Sequence, residues 1–108
     1  YELRTYVTNP GKLSKLNTRF RDHTTRLFGK HGIRNVGYWT PFDRPESANT
    51  LIYLVHHSSR KQADTNWKAF GRDPQWRKVA RQSQLDGRFL SEPPERLYLE
   101  ALDFSPLK

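Results

Sequence analysis

Polar and apolar positions alternate at the two ends of the chain and in its middle, and fall on helical stripes between. Residues 1–8 (YELRTYVT) alternate and are β-prone, which predicts a strand. Asn9, Pro10 and Gly11 follow, with Asn9 placed to cap a helix and Pro10 at its first position. Leu13, Leu16, Phe20 and Leu27 then share one stripe of a helix running from about 10 to 30. His31 and Gly32 end it, since glycine supplies the left-handed closing conformation. Residues 33–40 (IRNVGYWT) predict a second strand, 41–49 a polar turn, and 50–57 (TLIYLVHH) the strongest strand. Ser59 to Gln62 has capping-box spacing, and Ala63, Trp67 and Phe70 form the stripe of the helix that it opens. Asp73 and Pro74 start another short helix carrying Trp76, Val79 and Ala80. Residues 86–96 read as loop and 97–104 (LYLEALDF) as the last strand.

The order is therefore β-α-β-β-α-β, with the second helix split. That order predicts an α+β, ferredoxin-like domain: a four-stranded antiparallel sheet with helices on one face and the first and third strands in its centre. Both faces of these strands carry large apolar side chains, and helices can cover only one. The face bearing Tyr53, Val55, Tyr98, Leu102 and Phe104 is expected to be the open one. An apolar patch of that size calls for a cover, and a second copy of the sheet is the simplest.

Composition narrows the function. The 108 residues make one domain, 1–108. Only 34% are hydrophobic, so six Phe, five Tyr and three Trp carry much of the core. Cysteine is absent, which removes disulfides and thiolate chemistry. No apolar run approaches the roughly 18 residues of a membrane span. No export signal is visible, so a cytoplasmic location is expected. The net charge of +8 draws polyanions or acidic ligands, although a solvated basic surface is the preferred reading.

Longer stretches are more specific. The opening YELRTY, the helix RFRDHTTRLFGKHG, the strand VGYWTP, the block NTLIYLVHHSSRKQADTNWKAFGRDPQW and the closing LDFSPLK together resemble the NIPSNAP family from end to end. The resemblance implies a dimeric α/β barrel in which two ferredoxin-like sheets face each other, with no settled activity. Eukaryotic relatives are mitochondrial and linked to vesicle traffic and mitophagy; without a transit peptide here, a stand-alone, bacterial-type member is expected. The wider barrel group includes cofactor-independent monooxygenases and haem-degrading enzymes, an analogy of fold only. The haem-degrading members use a histidine on the second helical segment. The histidines here are His23, His31, His56 and His57, so haem binding of that type is not expected.

Chemistry read residue by residue yields candidates rather than a reaction. His56 and His57 are adjacent on a strand and point to opposite faces, so no metal site and no cofactor is expected. RNA-recognition aromatics are too few, and specific nucleic-acid binding is not expected. Arg4, a charge on a central strand, must pair, with Glu2 on the same face as one partner and an anionic ligand as another. His23 lies on the apolar stripe of the first helix, either as a core-edge group or as the polar wall of a pocket. Tyr6, Trp39, Tyr53 and Trp67 are its candidate neighbours, each also readable as core. Lys12, Lys15, Arg19, Arg26 and Lys30 form a second, basic stripe on that helix, read as solvated.

Three functions are compatible with these residues. The first is a homodimeric barrel that binds a small molecule or a protein partner. The second is a cofactor-independent, monooxygenase-like enzyme acting on an aromatic substrate, with His23 as acid or base. The third is a polyanion-binding protein.

Overall fold

A computed structural model describes all 108 residues. Strand β1 is Glu2–Val7, and helix α1, Leu13–Arg19, passes through a π-helical turn, Phe20–Thr24, into α2, Thr25–Lys30. Strands β2, Arg34–Trp39, and β3, Thr50–His56, follow, then α3, Arg60–Arg72, α4, Pro74–Ser83, and β4, Glu95–Tyr98. The sheet order is β2-β3-β1-β4, antiparallel throughout, which is the expected ferredoxin-like arrangement with β1 and β3 central.

Local chemistry accounts for most of the boundaries. Ser59 Oγ accepts from Gln62 N (2.9 Å) and starts α3; Asp73 Oδ1 accepts from Gln75 N (2.8 Å) and starts α4, with Pro74 in its first turn. Gly32, at φ +76°, closes α2 as expected. Two boundaries differ from expectation. Asn9 does not cap α1: its Nδ2 donates to Arg88 O (2.9 Å), Gly11 turns left-handed at φ +76°, and the helix begins only at Leu13. The last strand is shorter and earlier than 97–104, because its register with β1 uses Glu95 to Tyr98. Leu102 and Phe104 lie beyond it, 58% and 79% exposed.

The expected open face is corrected. Tyr53 and Val55 are fully buried beneath the helices, and Tyr98 is half-buried beside them under Arg60. The helix-side face is Glu2, Arg4, Tyr6, Leu51, Tyr53 and Val55; the open face is Leu3, Thr5, Val7, Ile52, Leu54 and His56, joined by Trp39 and Leu97. Two physical reasons reverse the assignment. The charges of Glu2 and Arg4 neutralise each other, so they can go inside. The helices also bring an aromatic layer, Phe20, Phe28, Trp67 and Phe70, against which Tyr53 packs: its ring centroid lies 5.2 Å from that of Phe20, and it stacks on Tyr38 at 5.1 Å.

Candidate functional site

The interior between sheet and helices holds a polar chain instead of a purely apolar filling. At one end, the Glu2 carboxylate is wholly inaccessible and takes three donors. Arg4 Nε donates to Oε2 (2.8 Å), while Trp67 Nε1 (2.7 Å) and His57 Nε2 (2.9 Å) both donate to Oε1. The Arg4 guanidinium stacks over the Trp67 ring at 3.9 Å and sends Nη1 toward the Tyr6 hydroxyl (3.4 Å). That hydroxyl is 2.9 Å from the hydroxyl of Tyr53. β1 places Glu2, Arg4 and Tyr6 in line because alternate residues share a face. β3 sets Tyr53 directly across from Arg4.

Burial and charge set the protonation states. Burial pushes the Glu2 carboxyl upward, but the hydrogen bonds from Arg4, Trp67 and His57 outweigh it and hold Glu2 below its ordinary value. Burial opposes the charge on Arg4, and its neighbours Tyr53, Tyr6 and Glu2 more than restore it. Burial, reinforced by Tyr6, raises the phenols of Tyr53 and Tyr38 above the ordinary tyrosine range. Both phenols therefore stay protonated at neutral pH and serve as hydrogen-bonding groups, not as bases.

A second cation approaches the same phenols from α1. Arg19, expected on a solvated stripe, is half-buried, lying 4.9 Å from the ring centroids of Trp76 and Phe89. Its Nη1 donates to Ser83 Oγ (3.2 Å). Burial lowers its affinity for the proton. Arg19 is also part of a groove of about 710 Å³ between α1 and α4. His23 lines this groove, together with Lys15, Arg26 and Lys78.

The candidates therefore separate into three places. Arg4, Tyr6, Tyr53 and Trp67 form one connected cluster. His23 is half-buried on the flank of the π-helical turn, where Thr24 takes the buried position, and it faces the groove instead of the tyrosines. Trp39, paired with Ile52, lies on the open face and is 55% exposed. The pairing of Arg4 with Glu2 is as expected. Glu2 as the hub, His57 as its donor and Arg19 as the inward-facing cation were not anticipated. The i, i+2 spacing of Glu2 and Arg4 carried part of that information; the approach of Arg19 depends on helix packing, and that of His57 on the register that sets Val55 across from Glu2.

Fold and interior together define a ferredoxin-like α+β domain with a charged, aromatic centre beneath its helices. The NIPSNAP family model matches residues 1–106, and the chain belongs to that family. Solved structures share its fold. A NIPSNAP family protein from Agrobacterium tumefaciens superposes with a TM-score of 0.82 at 21% identity, over 99% of this chain and 96% of that one. A second from the same organism, of unknown function, gives 0.81 at 22%, over 99% and 91%. An uncharacterised NIPSNAP domain protein from Burkholderia xenovorans gives 0.79 at 19%, over 97% and 96%. No match was found among proteins with curated descriptions.

Proposed function

We propose that the protein works as a homodimer in which two open sheet faces meet as a dimeric α/β barrel, and that each protomer binds a small molecule on its helix side. The open face carries this reading. Leu3, Val7, Ile52 and Leu54 lie along the central strands of that face with no helix over them, and Trp39 and Leu97 beside them are 55% and 56% exposed. A contiguous apolar surface on the middle of a sheet favours a flat, self-complementary partner. With that face occupied, the helix-side groove is where a ligand has access.

Sedimentation velocity at micromolar concentration is expected to give a dimer. Leu54→Glu, which puts a charge at the centre of the face, should yield a folded monomer. Tyr53→Lys should instead unfold the protein, since Tyr53 is core. A wild-type protein that stays monomeric at high concentration would refute the dimer.

A further inference from the structure

We infer that the groove between α1 and α4 is a binding site for a small organic dianion with a flat, apolar body. The inference rests on the proposed reading that each protomer takes a small molecule on its helix side, and it names the class.

Charge is the first observation. Lys15, Arg19, Arg26 and Lys78 line the groove against two carboxylates, Asp22 and Asp86, leaving a surplus of two positive charges. The sole ion pair among them is Lys15 with Asp86, at 3.4 Å between well-exposed groups. Arg19, Arg26 and Lys78 have no carboxylate within ion-pair distance. Arg19 matters most, because a half-buried guanidinium without a counter-ion is costly. An anion in the groove would supply that counter-ion, and a planar guanidinium presents paired donors to a carboxylate or phosphate.

Size and surface are the second. About 710 Å³ suits a ligand well beyond a single inorganic anion. Val79 and the aliphatic stems of the lining Lys and Arg side chains supply apolar wall, with Phe89 buried behind them and Trp76 under Arg19. The groove thus offers cations for two negative charges and an apolar surface for a ring. Dicarboxylates and phosphate monoesters both have this chemistry.

Isothermal titration of the wild-type protein at low ionic strength tests it, with isophthalate, adenosine monophosphate, benzoate and inorganic sulfate as probes. At least one dianion of the first two should bind about tenfold or more tightly than benzoate or sulfate, and which one does so separates carboxylate from phosphate recognition. Arg19→Met, which keeps the aliphatic stem and removes the guanidinium, should lose that binding while the dimer persists. Should Arg19→Met fail to fold, the double variant Arg26→Gln, Lys78→Gln, at two exposed positions, should still weaken the dianion severalfold. Dianions that bind no better than sulfate or benzoate would overturn the inference, as would unchanged affinity in the double variant. Benzoate bound as tightly as either dianion, in an Arg19-dependent way, would leave the small-molecule reading standing and remove only the class. A single-stranded oligonucleotide that displaces both dianions would reassign the groove to nucleic acid.

Discussion

Glu2 accepts from Arg4, His57 and Trp67 and has no contact with water. Its three donors cover it, so the charge is compensated instead of merely enclosed. Glu2→Gln keeps the shape but leaves the Arg4 guanidinium, 8% exposed, without its counter-ion. Urea denaturation is expected to show a loss of about 3–5 kcal/mol. Replacing the pair together, Glu2→Leu with Arg4→Met, should cost less than Glu2→Gln alone, because no uncompensated charge is then buried. A loss below about 1 kcal/mol in the single variant, the level of an exposed pair, would mean that water reaches Arg4. The i, i+2 ion pair lets two charged residues share the buried face with Tyr53.

Helix ends and the π-helical turn decide how the elements meet. In that turn, Thr24 Oγ1 donates to Arg19 O (3.3 Å) and Thr25 Oγ1 to Phe20 O (3.1 Å), a carbonyl that also accepts from the Thr25 backbone N–H five residues on. The changed phase buries Thr24 and leaves His23 on the groove flank. Asp73 joins two elements: it caps α4 and binds Lys30 (2.8 Å) and His31 (2.7 Å) at the end of α2. The hydrogen bonds from Lys30 and His31 hold its carboxyl well below the usual range. A depressed folded value means that this stabilisation is complete above the unfolded carboxylate value of about 3.9 and is lost as pH falls through the folded value. Asp73→Asn should therefore lower the Tm at neutral pH and flatten its fall below about pH 4. An acid slope equal to wild type would place the loss on other carboxylates.

At the scale of the molecule, the sheet separates two environments, a charged and aromatic interior and an apolar open face. Gly37 belongs to the second. A Cβ there would overlap the Trp39 ring, so Gly37→Ala forces Trp39 to shift on that face. Because Trp39 is largely exposed, thermal stability of the single chain should change little while the proposed dimer weakens in sedimentation. A dimer as tight as wild type in Gly37→Ala would place Trp39 outside the proposed interface.

Element order, the caps at Ser59 and Asp73, the close at Gly32 and family membership were determined by the sequence, because each depends on residues near one another in the chain or on a pattern spread along all of it. The two-faced strands were also legible, and with them the need for a cover. Which face the helices take was not legible, since period-two alternation looks the same from either side. That choice was made by packing: Phe20 and Phe28 meet Tyr53, Trp67 and Phe70 of α3 pack on Phe28, and Glu2 and Arg4 enter as a neutral pair. The groove likewise exists only in the tertiary structure, where α4 brings Lys78 and Val79 opposite a basic stripe that α1 alone would present to water.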